Sequence, residues 1–133
     1  DVYKDSRLFD QVVDSLVEFN QLWASKASAL IVAIAETESE DGKAISHAVY
    51  DLGQAVAHFS VQAHHEGLLV HQMSGFDPEA VREFADLSPR FAAITVIAVG
   101  ELGDASGLPE GLQQGETAPR VRRPIAETVI LSA

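Results

Sequence analysis

The chain of 133 residues carries 20 acidic against 9 basic side chains, which gives a formal net charge of −11. The length predicts a single domain with its own hydrophobic core, and the negative charge argues against nucleic acid or an anionic membrane as a partner. Cysteine is absent, which excludes disulfides and thiolate chemistry and agrees with a reducing cytoplasm, where we expect the protein to be.

The N-terminal part of the chain predicts a helix, a short second helix and a strand. Either Ser6 or Asp5 can cap the first helix. Residues 29–35 are apolar without alternation, which is typical of a strand covered on both faces. The acidic residues 36–41 predict an exposed loop, because the spacing of an EF-hand calcium site is absent. The apolar residues that predict the helices are Leu8, Phe9, Val12, Val13, Leu16 and Val17 for the first, and Leu22 and Trp23 for the second.

An apolar stripe predicts a long helix from about residue 45 to 66, and Gly67 suits its left-handed C-cap. Gly53, Ala55 and Ala57 make this helix thin and permit a close neighbour, either another helix or a partner subunit. No pair of histidines on the helix has the four-residue spacing of a helical zinc site, so no metal site is predicted. These histidines are His47, His58, His64 and His65.

Residues 68–77, with the sequence LLVHQMSGFD, predict a short strand that leads through a turn into another helix. Ser74 and Gly75 form the small-residue turn. Asp77 suits the N-cap of the following helix, and Pro78 suits its first position. Backbone N–H groups at such a turn are free to face a ligand, so this stretch has the shape of a binding site.

The remaining chain predicts a helix over residues 78–86, a central strand over residues 91–99 and a weak helical turn near residues 109–114. The glycines between positions 100 and 115 do not follow a strand in a GxGxxG arrangement, so no Rossmann phosphate loop is indicated. Residues 128–131 are apolar and β-branched, and they predict a terminal strand that pairs with another element, such as a second subunit.

Arginines at positions 120, 122 and 123 form a local excess of positive charge in this acidic chain. Guanidinium groups suit phosphate, so the cluster is either an anion site or a solvated segment that balances the acidic surface. The sequence shows no nucleophile–base pair, metal-ligand set or P-loop. If the protein is an enzyme, we expect a cofactor to carry its chemistry.

Several of these blocks, in this order, resemble the FMN-dependent nitroreductase family. HQMSGFD together with RVRRP is the most specific part of a resemblance that covers nearly the whole chain. Many relatives have proline in place of Ser28, and an acidic residue or glycine in place of Ser74. The family's N-terminal segment, with its Arg-Arg-Ser-type phosphate motif, has no counterpart, so we expect the chain to match about the C-terminal two-thirds of such a protein. The blocks are NQLW at 20–23, DLGQAV at 51–56, EGLLVHQMSGFDPEAVRE at 66–83, ITVIAVGELGD at 94–104, LPEGL at 108–112 and PRVRRPIAETV at 119–129.

The resemblance implies an α+β fold with a mainly antiparallel sheet flanked by helices. It implies a homodimer that exchanges C-terminal segments and holds FMN at its interface. It also implies hydride transfer from NADH or NADPH to the flavin, followed by reduction of nitroaromatics, quinones or similar small acceptors in a ping-pong cycle. The alternative that the sequence leaves open is a cofactor-free binding or interaction protein that keeps the fold.

The same resemblance assigns cofactor contacts but no catalytic side chain. The turn formed by Gln72, Met73, Ser74 and Gly75 would lie against the flavin ring, with the backbone N–H groups of Ser74 and Gly75 facing N5 and O4. Its expected part is to orient and tune N5 and not to transfer protons. Arg120 and Arg122 match the paired basic positions that bind the FMN phosphate, whereas Arg123 has no assigned role.

Overall fold

A computed structural model describes residues 2–4 and 6–129, which form two compact units that divide after Leu102. The first unit holds the sheet and most of the helices. The second unit holds two short helices and a 3-10 turn. Whether the chain folds as the single domain expected from its length stays a prediction. The elements of the first unit are β1 (Val2–Tyr3), α1 (Arg7–Ser15), α2 (Glu18–Ala24), β2 (Ala29–Glu36), α3 (Ala48–His65), β3 (Leu69–Met73), α4 (Pro78–Phe84) and β4 (Phe91–Gly100).

The first unit is built on a four-stranded antiparallel sheet with the strand order β1-β2-β4-β3. β4 lies between β2 and β3, which confirms the predicted central strand. The register of β2 on β4 shifts between Ala33 and Ile34. Helices pack on this antiparallel sheet, so the predicted α+β class is confirmed.

Both faces of the sheet are covered, because successive side chains of a strand point to opposite sides. On one face, Ile97 and Val99 of β4 form a core cluster with Val56 of α3. On the other face, Val96 and Ala98 form a second cluster with side chains of α1, α2, β2 and β3. The helices α1, α2 and α4 therefore lie on the face opposite α3. Met73, the last residue of β3, packs on the same face as α1 and α2.

The first helix is shorter than its apolar periodicity predicts. Ser6 caps α1 by accepting a hydrogen bond from the Phe9 backbone N–H, as expected. The helix ends at Ser15, however, and Leu16 is extended and buried. Leu16 pairs with Phe76 in an isolated β-bridge, so a long-range contact takes this residue out of the helix.

The long helix α3 starts three residues later than predicted, at Ala48. The backbone N–H of Ile45 donates to the Thr37 carbonyl, and Glu38 pairs with Ala44, so residues before the helix belong to a small hairpin. At the other end, Gly67 has a φ of +83°, which is the left-handed conformation expected of it. The predicted C-cap is confirmed.

The second unit contains the 3-10 turn Ala105–Gly107, α5 (Glu110–Thr117) and α6 (Ile125–Thr128). The weak helical turn predicted near residues 109–114 is therefore a full short helix. The predicted terminal strand is not formed in its described part, because Thr128 ends α6; residues 130 and 131 lie outside the described chain. None of the helices described in either unit is long and apolar enough to cross a membrane.

Candidate functional site

The turn that follows β3 is anchored by the strand on its N-terminal side. Met73, the last residue of β3, is 3% exposed and belongs to the core cluster under α1 and α2. Its carbonyl accepts a hydrogen bond from Thr95 Oγ1 of β4 at 2.9 Å. A tight turn of three residues follows, in which the Phe76 N–H donates to the Ser74 carbonyl at 3.1 Å. This bond between residues two apart closes a γ-turn around Gly75.

The carbonyl of Gly75 is held by the start of α2. It accepts hydrogen bonds from the Val17 backbone N–H and from Asn20 Nδ2, each at 3.0 Å. Two residues further along, the Asp77 N–H donates to the Ser15 carbonyl at 2.7 Å. The turn is thus fastened to the junction between α1 and α2 through main-chain groups and one side chain.

Glycine is needed at position 75 for space and not for an unusual backbone conformation. A Cβ placed there would lie 2.8 Å from Val17 Cγ2 and 2.9 Å from Asn20 Nδ2. Positive φ angles among the described glycines occur at Gly42 and Gly67, and Gly75 is not one of them. The turn therefore lies so close to the Val17 and Asn20 side chains that a Cβ at position 75 would collide with them unless they or the turn shifted.

The turn also contains two backbone donors that form no hydrogen bond with the described residues. The N–H groups of Ser74 and Gly75 have no protein acceptor within the described ranges, and Ser74 is exposed. Two adjacent donors of this kind match the edge of a heteroaromatic ring that offers a ring nitrogen and a carbonyl oxygen side by side. The flavin contact that the resemblance assigns to these residues stays a prediction.

Gln72 and Met73 contribute differently from the rest of the predicted turn. The Gln72 side chain points toward α3, where Nε2 donates to Ser60 Oγ at 3.2 Å. The Met73 side chain is buried in the core, so only its main chain is near the turn. Between β3 and α2, the rings of His71 and Trp23 lie 4.5 Å apart, which adds a further contact next to the turn.

After the turn, the chain enters α4 as predicted. The Asp77 carboxylate accepts hydrogen bonds from the backbone N–H groups of Glu79 and Ala80, at 2.9 and 3.3 Å, and Pro78 occupies the first turn. The helix ends at Phe84, before the predicted end at residue 86. The N-cap fixes the exit of the turn just as Met73 fixes its entry.

The predicted phosphate ligands Arg120 and Arg122 belong to the second unit, whereas the turn belongs to the first. Both are exposed and lie between α5 and α6 without regular secondary structure. Arg122 Nη1 donates to the Val121 carbonyl at 3.2 Å. In the described part of the chain, no carboxylate forms an ion pair with Arg120, Arg122 or Arg123, so their charges are available to an anion.

Two carboxyl groups, those of Asp41 and Asp104, have a lowered pKa, and neither residue belongs to the turn. The Lys43 ammonium, 2.5 Å from the Asp41 carboxylate, holds the pKa of Asp41 below its usual range. The Ser106 backbone N–H lowers the pKa of Asp104 in the same direction. The described residues also form no cluster of His, Cys, Asp or Glu that could hold a metal ion. The turn itself offers hydrogen-bond donors and no acid–base pair.

Asn20 is the contact residue to which sequence reasoning gave no role. It stands in the NQLW block at the start of α2, and the bond to Gly75 joins residues 55 positions apart. Helical periodicity carries no information about such a contact. The only available signal was the presence of a carboxamide side chain on the first turn of a short helix.

Comparison with known proteins gives a consistent family. The profile described as the Nitroreductase family matches residues 3–101. The chain is also similar to an uncharacterized 15.4 kDa protein in the ask 5′ region of Mycolicibacterium smegmatis, with 34% identity over 116 residues. That match covers 80% of this chain and 71% of the relative.

Solved structures show the same fold. A crystal structure described as an oxidoreductase containing FMN superposes with a TM-score of 0.88 at 32% identity, over 97% of this chain and 67% of that chain. A proposed NAD(P)H:FMN oxidoreductase of Staphylococcus epidermidis has a TM-score of 0.75 at 15% identity, over 99% of this chain and 74% of its own. The second likeness concerns the fold alone.

Proposed function

The chain belongs to the nitroreductase family, and from this premise we propose that it is an FMN-dependent oxidoreductase. The proposed reaction takes hydride from NADH or NADPH and reduces nitroaromatics, quinones or similar small acceptors in a ping-pong cycle. The observation that carries the proposal is the pair of N–H groups at Ser74 and Gly75, which have no acceptor among the described residues. They belong to a turn whose Gly75 carbonyl is hydrogen-bonded to Val17 and Asn20. The names of similar structures, one containing FMN and one proposed to use NAD(P)H, support the choice of cofactor and donor.

FMN, when bound, supplies the redox chemistry, because its ring accepts and delivers hydride. The protein's own part is to bind and orient the ring. The N–H groups of Ser74 and Gly75 would donate to N5 and O4, and the close packing of Gly75 on Val17 would keep the turn from moving. Gln72 would support the turn through its hydrogen bond to Ser60 of α3, and Met73 through its side chain buried in the core.

Arg120 and Arg122 would bind the phosphate of FMN. Two guanidinium groups offer several donors in a planar arrangement that matches phosphate oxygens, and each carries a positive charge. Both side chains are exposed. The phosphate role thus rests on residue type and availability, whereas the ring role rests on the geometry of the turn.

We further propose that the protein acts as a homodimer with exchanged C-terminal segments. On α3, Tyr50 and Val61 are 68% and 71% exposed, and with Gly53 and Ala57 they form a stripe distinct from the buried Val56. Large apolar side chains beside small residues favour close packing against a second helix, and contact with a second copy would remove this surface from water. The exposed stripe supports the proposal that this helix packs against a second copy.

The test uses the protein purified at its natural length. We expect a yellow protein with the visible absorption of bound flavin, bleaching of that absorption by NADH or NADPH, and recovery on addition of a quinone or nitroaromatic. Size-exclusion chromatography of the same sample at micromolar concentration should show a dimer. A colourless protein that FMN does not stabilise against heat would contradict the enzyme proposal. A colourless but stable dimer would instead favour the cofactor-free interaction protein.

A further inference from the structure

We infer that protonation of three histidines on α3 weakens the contact between two copies of the chain, so that the dimer dissociates more readily as the pH falls. The three residues are His58, His64 and His65. The inference rests on the proposed homodimer, which packs through the exposed stripe of α3, and it adds a condition for that contact. It concerns histidines to which the proposed function gives no role.

The three histidines surround Val61, an apolar side chain of α3 that is 71% exposed. They stand three residues before Val61, three residues after it and four residues after it. Residues at these spacings are neighbours on the surface of a helix. All three histidines are exposed as well. A contact that removes Val61 from water therefore encloses the imidazole rings or places them at its rim.

This part of α3 faces away from the sheet. Val56 and Ala63 are the buried residues of the helix. His58 and His65 each follow one of them by two positions, and two residues turn the side chain through about 200° around the helix axis. The two histidines therefore lie on the side opposite the sheet, where a second copy is proposed to pack.

The carboxylates of the same helix are poorly placed to balance three positive charges. Asp51 is the one Asp, Glu, Lys or Arg residue of α3, and it precedes Val61 by about 15 Å along the helix axis. Glu66 follows the helix, and its carboxylate accepts a hydrogen bond from Gln62 Nε2 at 2.6 Å. One nearby carboxylate in each copy leaves an excess of positive charge once the histidines are protonated.

The two strands that pack against α3 hold their own titratable groups in other contacts. In β2, Glu36 forms an ion pair with Arg90. In β3, the ring of His71 lies 4.5 Å from the ring of Trp23. The histidines around Val61 are therefore the groups whose charge decides the behaviour of this surface.

The direction of the pH effect follows from the charge that the imidazole rings gain. Imidazole changes its charge between about pH 8 and about pH 6, whereas carboxylates keep theirs over this range. An imidazolium group loses hydration when a contact encloses it, and like charges from two copies repel each other. The single chain therefore takes up protons more readily than the dimer, and a fall in pH shifts the equilibrium toward the single chain.

The experiment measures the dissociation constant of the dimer by sedimentation equilibrium, on the protein at its natural length, at about pH 8 and about pH 6. Wild type is compared with a triple variant whose glutamines keep a polar side chain that gains no charge. The matched control changes the two remaining histidines, as His47→Gln with His71→Gln. The triple variant is His58→Gln with His64→Gln and His65→Gln.

We expect the dissociation constant of the wild-type dimer to rise at least about tenfold at the lower pH, because charged groups are partly desolvated in both copies. The triple variant should have the same constant at both pH values, and the control should behave as the wild type does. If the triple variant does not fold, the single substitutions decide the question, because each should remove part of the pH effect.

The outcomes separate this inference from the proposal on which it rests. A wild-type protein that is a single chain at both pH values would overturn the proposed homodimer, and this inference with it. A dimer whose dissociation constant stays the same or falls at the lower pH would overturn the inference alone. A triple variant that keeps the wild-type pH dependence would do the same.

Discussion

The turn at residues 74–76 and the arginine segment at residues 120–123 are held in opposite ways, although both are proposed to contact one cofactor. The turn is fixed by bonds to α2, to the end of α1 and to β4. The arginine segment is exposed, and Arg122 bonds to the carbonyl of its own neighbour. The difference follows from what each must recognise. Backbone donors facing a ring must be pre-aligned, whereas guanidinium charge attracts an anion over a wider range of positions.

The largest effect is expected when the space between Gly75 and the Val17 side chain is filled. Gly75→Ala places a methyl group 2.8 Å from Val17 Cγ2 and 2.9 Å from Asn20 Nδ2, so either these side chains or the turn must shift. We expect a loss of about 1–3 kcal/mol in the free energy of unfolding, as for overpacked sites, and loss of FMN retention. Urea unfolding monitored by circular dichroism measures the first effect.

Gly111→Ala is the control, because a Cβ at position 111 in α5 meets open space and the change should be neutral or slightly stabilising. A second variant, Gly75→Ala combined with Val17→Ala, should recover part of the lost stability if the steric explanation is right. Equal stability of Gly75→Ala and wild type would show that the turn is not held as closely as the structure indicates.

A smaller effect is expected at the exit of the turn. Asp77→Ala removes the acceptor for the first N–H groups of α4, and loss of such a cap costs about 1 kcal/mol. Asp77→Asn should retain most of the stability, since its side-chain oxygen can still accept. Glu83→Ala, on the exposed side of the same helix, serves as the control in urea unfolding. A cost for Glu83→Ala as large as that for Asp77→Ala would argue against the cap.

The local features of the turn could be predicted from sequence, but its attachment could not. Asp77 and Pro78 predict the start of a helix, and Gly67 predicts the end of one, because capping depends on residues that are close in sequence. The bonds from Val17 and Asn20 to Gly75 depend on how α2 packs beside β3, which periodicity does not encode. For the same reason, apolar spacing extended α1 through Leu16, which the structure instead places in a bridge to Phe76.

The smallest effect on stability is expected in the arginine segment, which we propose binds the cofactor without contributing to the fold. Arg120→Ala combined with Arg122→Ala removes no ion pair of the described chain and should change the free energy of unfolding by less than about 0.5 kcal/mol. The same double variant should weaken FMN binding and make it less sensitive to salt, because the charge attraction is lost. Riboflavin, which lacks the phosphate, should bind to wild type and variant alike. If the double variant instead loses much of the free energy of unfolding, the arginine segment contributes to the stability of the fold, as the turn does.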